Sequence, residues 1–166
     1  MRLLVLADTH ARRVEEVSPE IIRAVEEADL VVHCGDFVGR EVMEALKKAS
    51  PRFVGVHGNL DPGDVRQELP AREILELEGK KIAIAHPAYG GPPWGLEEKL
   101  LREFPGVDII FFGHTHEPRN VYSNGVLFFN PGQGYSSSRA PGSYGLLTLE
   151  GGKVEAEVVF LGKERP

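Results

Sequence analysis

Five segments of this chain share one layout, in which an apolar, strand-like run ends in a short polar loop carrying Asp, His or Asn. They are Leu6–His10, His33–Asp36, His57–Asp61, Ile84–His86 and Phe112–His116. All six histidines of the chain fall within these five segments. The carboxyl ends of neighbouring strands in an α/β sheet converge on one edge, where ligands bind. The chain is therefore constrained to a sheet fold that gathers these loops at one edge.

The first half of the chain alternates strand-like and helix-like patterns. Strands are predicted at Arg2–Leu6, Leu30–His33 and Phe53–Val56, with helices that open at Ser18-Pro19-Glu20 and cover about Gly39–Ala49. Ser18 and Pro19 suit the N-cap and the first helical position. This half therefore has the pattern of consecutive β-α-β units.

The second half is richer in hairpins. One hairpin is predicted from Ile74–Leu77 and Ile82–Ala85 around a turn at Gly79-Lys80, and a single strand at Val107–Phe112. Two further hairpins are predicted, from Arg119–Tyr122 and Val126–Phe129 around Asn124-Gly125, and from Tyr144–Leu149 and Val154–Leu161 around Gly151-Gly152. A helix is predicted over Trp94–Phe104, with Trp94 anchoring it on the sheet or stacking on a substrate base. Together the two halves predict an α/β fold, a four-layer α/β/β/α sandwich of two stacked mixed sheets, as a single domain over residues 1–166.

Composition narrows the classes of partner. The chain has 166 residues, 42% of them hydrophobic, and a formal net charge of -6. This balance disfavours charge-driven binding to extended nucleic acid or to an anionic membrane. No apolar run approaches the roughly 20 residues of a membrane span, and the N-terminus lacks the pattern of a signal peptide. We therefore expect a cytoplasmic protein without internal disulfides, since Cys34 is the one cysteine.

The polar loops supply the side chains of a metal site. Imidazole, carboxylate and carboxamide groups without thiolate suit Mn, Fe, Co, Ni or Zn better than an all-oxygen Mg or Ca site. Asp8 and His10 lie two residues apart, as do His114 and His116, so a turning loop can direct both members of each pair into one cavity. A single Asp or His at a strand end is more often explained by a turn or a core hydrogen bond. The combination of all five segments favours ligands.

The ordered set D-x-H, G-D, G-N-x-D, a lone H and G-H-x-H resembles the calcineurin-like metallophosphoesterase superfamily. These motifs cover the chain from Leu3 to about Gly134, and the small bacterial and archaeal phosphodiesterase branch is the most similar. The resemblance implies two divalent metal ions, with manganese favoured and Ni, Fe, Co or Zn as alternatives. It assigns one ion to Asp8, His10 and His116, a second to Asn59, His86 and His114, and Asp36 to both.

The resemblance also implies a reaction. A hydroxide shared by two metals would attack a small phosphodiester, such as a cyclic nucleotide or a nucleotide derivative, in line with the departing alkoxide. Asp36 and Asn59 are then the catalytic candidates, with Asn59 and Arg12 as substrate contacts. Many relatives have a histidine after the asparagine that protonates the leaving group, whereas this chain has Leu60. His57 or Asp61 could take its place.

Other residues and functions have more than one interpretation. His33 and His57 are expected to support the site from outside the ligand set or to be buried structural residues, and Cys34 to be a small packed apolar residue. The loop Asn130-Pro131-Gly132 is either a simple turn or a phosphate-facing loop. As a whole, the chain could instead be a catalytically weak or inactive protein-binding scaffold with the same fold, like the retromer subunit that resembles this branch. A homo-oligomer is possible through exposed strand edges.

Overall fold

Both faces of the central strands are apolar, and each face packs against a different layer. In β1 (Arg2–Leu6), Leu3 and Val5 belong to a core between two sheets, whereas Leu4 and Leu6 belong to a core beneath helices. A strand that is buried on both faces has a continuous apolar sequence rather than an alternating one. This double burial explains the apolar runs and requires a layered fold. The computed structural model describes residues 1–88 and 94–162.

The first sheet has five strands in the order β10-β9-β1-β2-β3. Their bounds are β1 Arg2–Leu6, β2 Leu30–His33, β3 Phe53–Gly55, β9 Ser143–Glu150 and β10 Lys153–Phe160. The first three strands are parallel, so their carboxyl ends point to one edge, and β9 and β10 run antiparallel.

The second sheet has five strands in the order β4-β5-β6-β8-β7. Their bounds are β4 Arg72–Leu77, β5 Lys80–Ala85, β6 Ile109–Phe112, β7 Arg119–Ser123 and β8 Val126–Asn130. The inner strands β5, β6 and β8 are parallel, and the outer strands β4 and β7 are antiparallel to them. The predicted pair of mixed sheets is thus confirmed.

Helices cover the outer faces of both sheets. Their bounds are α1 Pro19–Glu27, α2 Arg40–Ala49, α3 Gly63–Glu68 and α4 Leu96–Glu103, with a short 3₁₀ helix at Val14–Glu16. Helices α1 and α2 pack on the first sheet, and α4 packs on the second through Leu100. The layers therefore follow the predicted order α/β/β/α. Among the residues that the structure describes, no helix has the length and apolar character needed to cross a membrane.

Three details differ from the sequence predictions. The β4–β5 turn uses Glu78 and Gly79, both with positive φ, rather than Gly79-Lys80. Helix α3 was not predicted, because Pro62-Gly63 indicates a loop. Trp94 does not anchor α4, since it precedes the helix and is 76% exposed.

The closeness of the two sheets at Gly145 gives a test of the fold. A methyl group added at Gly145 in β9 would overlap the Phe129 ring of the second sheet. We expect Gly145→Ala to lower the free energy of unfolding by about 1–3 kcal/mol, the usual cost of overpacking a core. The matched control is Gly63→Ala, because Gly63 has open space around its Cα and begins α3. Equal stability of the two variants in urea unfolding would contradict the proposed sheet contact.

Candidate metal centre

The loops after β1 and β2 continue side by side beyond the sheet. The backbone N–H groups of Asp8 and His10 donate to the carbonyl oxygens of Gly35 and Asp36, over 3.0 and 3.2 Å. Asp8, His10 and Asp36 have φ values of 48°, 45° and 59°. This left-handed conformation is uncommon for residues other than glycine, and it marks functional sites more often than ordinary turns. The turn explains how Asp8 and His10 reach the same cavity.

The loop after β6 has the same character. His114 and His116 have φ values of 76° and 61°. The backbone N–H of His114 donates to Asp8 Oδ2 over 2.9 Å, which fixes this loop of the second sheet onto the β1 loop of the first. The predicted convergence of loops from both sheets is therefore present.

Asp8 lies at the centre of the cluster and is fully buried. Its Oδ1 atom is 3.4 Å from Nε2 of His116, 3.7 Å from that of His10 and 3.8 Å from that of His86. Among the described residues, neither Asp8 Oδ1 nor His10 Nε2 has a hydrogen-bond partner. Two facing, buried polar atoms without partners indicate that a further group belongs between them.

Asp36 faces the histidines of both predicted ion positions. Its Oδ2 atom is 3.3 Å from His86 Nε2 and 3.6 Å from His10 Nε2. The same His86 Nε2 atom is also 3.1 Å from Asn59 Oδ1. The centroid of the His114 ring lies 5.2 Å from the centroid of the His86 ring. The structure thus brings together all the residues predicted as metal ligands.

The donor set fits divalent cations. Ligand atoms bound at about 2.0–2.2 Å to one ion lie roughly 3.4 Å apart in a tetrahedral arrangement. The separations between Asp8 Oδ1 and its neighbouring imidazole nitrogens are 3.4–3.8 Å. Two groups satisfy the spacing of metal ligands, namely Asp8 with His10 and His116, and Asp8 with Asp36 and His86. The cluster therefore has the chemistry of a metal centre, and within residues 1–88 and 94–162 the ion pairs of its two carboxylates are all with imidazoles.

The pKa values reflect this charge imbalance. The carboxylates of Asp36 and Asp8 raise the pKa of His10 to about 9, against a partial opposing effect of burial. Burial tends to raise the pKa of Asp36, but the His10 and His86 imidazoles outweigh it and hold that pKa far below its usual range. Burial beside His86 lowers the pKa of His114. A proton on His10 therefore partly balances the charge of the two carboxylates.

The Asp61 carboxylate accepts hydrogen bonds from the backbone of two loops of the site. Its Oδ2 atom accepts hydrogen bonds from the backbone N–H groups of Asp36 (2.9 Å) and Gly58 (2.7 Å), and its Oδ1 accepts from Val38 (2.9 Å). Both oxygens are occupied and the residue is buried, so the structure does not support Asp61 as the leaving-group acid. It is a positioning residue that ties the β2 loop to the β3 loop.

The loop after β3 has room only for glycine at position 58, and Arg66 donates hydrogen bonds to its backbone. A Cβ on Gly58 would overlap Asp36 Oδ1, so the G-N motif needs glycine here. Arg66 of α3 donates to the carbonyl oxygens of Asn59 (2.6 Å) and Asp61 (2.8 Å). Arg66 lies in the helix that sequence patterns missed, so no signal pointed to it.

His33 and Cys34 both lie in the buried positions that the sequence analysis predicted for them. His33 is buried and bonded to Thr9 Oγ1 and the Gly35 N–H, both at 3.1 Å, as expected for a supporting residue, and burial lowers its pKa to about 3. Cys34 is buried, as predicted, and its carbonyl oxygen accepts from His86 Nδ1 over 2.7 Å.

The sequence analysis also named Asn130, His57 and Arg12 as residues near the site. Asn130 bonds to Thr115 Oγ1 (2.9 Å) and to the Gly132 N–H (2.9 Å), so its side chain ties two loops together. His57 is half-buried, and Arg12 is exposed beyond the β1 loop. Substrate contact by Arg12 stays a prediction.

Sequence reasoning missed Gln133 and Tyr135. Gln133 Oε1 is 3.2 Å from His116 Nδ1, and the Tyr135 ring stacks on His10 with centroids 5.4 Å apart. Both follow β8 in a segment that carries none of the five motifs. The Gly134 N–H donates to the carbonyl oxygens of Ala7 and Asp8, each over 3.0 Å, and these bonds help to hold the segment beside the site.

Comparison with known proteins agrees with this geometry. A phosphodiesterase of Methanocaldococcus jannaschii is 26% identical to this chain, covering 80% of this chain and 84% of the other. The solution structure of a Thermotoga maritima protein is 40% identical, covers 96% of this chain and 99% of that chain, and has a TM-score of 0.76. Vps29 of Entamoeba histolytica, solved in complex with zinc, is 26% identical over 96% of this chain and 99% of that chain, with a TM-score of 0.75.

The calcineurin-like phosphoesterase superfamily domain matches residues 1–152, which include every residue of the cluster. The predicted resemblance is thereby confirmed, and it supports a hydrolase acting on phosphoesters. This chain belongs to the calcineurin-like phosphoesterase superfamily.

Proposed function

We propose that this protein is a metal-dependent phosphodiesterase that hydrolyses small phosphodiesters, such as a cyclic nucleotide or a nucleotide derivative, with two divalent ions. One observation carries the proposal. Two buried carboxylates, Asp8 and Asp36, face the imidazoles of His10, His86 and His116, and two of the buried polar atoms have no partner among the described residues. Such a site gains most from binding cations.

Two ion positions follow from the arrangement of the side chains. Asp8, His10 and His116 would hold one ion, and Asn59, His86 and His114 the other. Asp36 would serve both, which is supported by the position of its Oδ2 atom between His10 and His86. The family resemblance favours manganese, with Ni, Fe, Co or Zn as alternatives, and a mixed set of imidazole and carboxylate ligands is compatible with each of these ions.

When bound, the ions would polarise the phosphate oxygens and lower the pKa of a water molecule that serves as the nucleophile. The protein then has to orient the ester rather than form a covalent bond to it. Asn59 is exposed at the site, and Arg66 holds its backbone carbonyl. A neutral carboxamide at this point contacts a phosphate without repelling it. Arg12, further along the rim, is a second candidate for phosphate contact.

The preference for a diester rests on Leu60. Its N–H donates to Asp36 Oδ1 over 2.8 Å, and its side chain is 54% exposed beside the site. The residue after the asparagine therefore has no proton to give, which suits a substrate with a good leaving group. The similarity to an archaeal phosphodiesterase agrees with this preference. The net charge of -6 favours a small substrate over a long polyanion.

The alternative is a protein-binding scaffold with this fold. It is supported by the likeness to Vps29, which has a similar fold over nearly the whole chain. The full set of predicted ligands at the site weighs against it. A stoichiometric protein partner, together with no turnover in any of the metals named above, would favour the scaffold.

Substitution of Asp36 tests the function. We expect Asp36→Asn to lower metal occupancy and to reduce turnover of an activated aryl phosphodiester with manganese by about 100-fold or more. Loss of an outer partner of a metal ligand already costs about 10–100-fold. Metal content would be measured by mass spectrometry and turnover by release of the phenol.

Asp29→Asn is the matched control. Asp29 is exposed at the start of β2, on the sheet edge opposite the cluster, where its carboxylate accepts from the Arg2 N–H over 2.7 Å. This control should keep wild-type metal content and turnover. Full activity in Asp36→Asn would refute the proposed function.

Leu60 offers a test of substrate preference. We expect Leu60→His to raise the rate on an alkyl diester relative to an activated aryl diester by about tenfold or more, because general acids contribute about 10²–10⁴-fold. Leu60→Gln is polar and of similar size but carries no titrating proton, so it should leave the ratio unchanged. The same ratio in both variants would show that Leu60 does not stand at the leaving group.

The imidazole pKa values predict how metal binding depends on pH. Since the pKa of His10 is raised from 6.5 to about 9, its protonation stabilises the metal-free fold fully below 6.5 and this contribution is lost as the pH rises through about 9. Metal ions compete with these protons. We therefore expect the increase in melting temperature on adding manganese to be larger near pH 9 than below pH 6.5.

Two variants locate this effect. His10→Asn should weaken the pH dependence of the metal-free melting temperature, whereas His57→Gln, outside the ligand set, should keep it. A manganese-induced shift of equal size at both pH values would contradict proton competition at the cluster.

A further inference from the structure

We propose that Gln133 is a positioning residue that fixes the tautomer of His116 and thereby sets the affinity of one ion position. This inference rests on the proposed function, because it concerns the ion held by Asp8, His10 and His116. Gln133 follows β8 and is 5% exposed, so its side chain has no solvent to satisfy it.

The hydrogen bonds of Gln133 determine which way its amide points. Its Nε2 donates to the Tyr135 carbonyl oxygen over 2.9 Å and to Ser137 Oγ over 3.3 Å. A carbonyl oxygen only accepts, so the nitrogen of the amide has to face Tyr135. The Oε1 atom then faces His116 Nδ1 at 3.2 Å.

This orientation assigns the proton on His116. Because Gln133 Oε1 only accepts, the neutral ring carries its hydrogen on Nδ1 and keeps the lone pair on Nε2. That Nε2 atom is 3.4 Å from Asp8 Oδ1, inside the cluster. In the neutral ring the lone pair is therefore directed at the ion position.

His86 has the same arrangement but a different support. Its Nδ1 faces the main-chain carbonyl oxygen of Cys34 at 2.7 Å, which no substitution of a side chain can remove. His116 depends instead on the side chain of Gln133. A change at Gln133 should therefore weaken the position that includes His116 more than the position that includes His86.

Gln133 also connects this ion position to the turn over residues 135–140. Ser137 Oγ accepts from the N–H groups of Arg139 (3.3 Å) and Ala140 (3.2 Å), and the Tyr135 ring stacks on His10. The amide of Gln133 is a hydrogen-bonded link between this turn and His116.

The test compares Gln133→Leu with Gln133→Glu. Leucine removes the acceptor, whereas glutamate keeps an acceptor for the Nδ1–H. With Mn²⁺ alone as the probe in calorimetry, we expect Gln133→Leu to weaken one of two binding events by about 10–100-fold, the range for outer partners of metal ligands. Gln133→Glu should bind Mn²⁺ at least as tightly as the wild type, because its carboxylate still accepts from Nδ1–H and adds negative charge, although it loses the donor to the Tyr135 carbonyl oxygen. Gln67→Leu makes the same chemical change on the exposed face of α3 and should bind as the wild type does.

A second measurement does not depend on metal. Nitrogen-15 spectra of the metal-free protein, at a pH where the His116 ring is neutral, should show the Nδ1–H tautomer in the wild type and in Gln133→Glu. Gln133→Leu should show a mixture of both tautomers. If Gln133→Leu fails to fold, Gln133→Met, which is unbranched and of similar length, replaces it in both measurements.

The outcomes separate this inference from the proposed function. Wild-type Mn²⁺ affinities together with an unchanged Nδ1–H tautomer in Gln133→Leu would overturn the inference and leave the function standing. If the wild type binds no Mn²⁺, the proposed function fails, and the tautomer then decides the positioning role alone.

Discussion

The buried carboxylate of Asp8 is the constraint on which the rest of the site depends. An ionised carboxylate costs several kcal/mol to bury unless it is paired and hydrogen-bonded. One of its oxygens accepts from the His114 N–H, and the other faces the imidazoles of His10, His86 and His116. These partners follow three different strands in two sheets. The carboxylate is therefore stable only when both sheets are stacked with these strand ends at one edge, so the fold and the site specify each other.

The loops that surround Asp8 are themselves unfavourable. Asp8, His10, Asp36, His114 and His116 all have left-handed backbone conformations, each of which costs on the order of 1–3 kcal/mol. Hydrogen bonds between neighbouring loops offset part of this cost. The core between the sheets, with strands buried on both faces, supplies the remaining stability. A site of this kind gives up local stability in return for several ligands pre-arranged at one point.

The fold was largely predictable because the inner strands are buried on both faces and end at chemically distinct loops. The clustering of the histidines was predictable for the same reason, since every histidine lies at or beside such an end. Helix α3 was missed because its first residues read as a loop, and with it Arg66 was missed. Gln133 was missed because a single buried glutamine leaves no pattern in the sequence. Its contribution appears only when β8 brings it beside His116.

Both carboxylates face histidines of both proposed ion positions, which would couple the two positions. Asp8 Oδ1 lies near His116 and His86, and Asp36 Oδ2 lies near His10 and His86. An ion at one position would therefore neutralise carboxylate charge that also interacts with the histidines of the other position. Residues in one such network have effects that do not add. The cluster consequently responds to its first ion as a unit, and the contribution of any one ligand depends on whether the neighbouring position is filled by a metal or by protons.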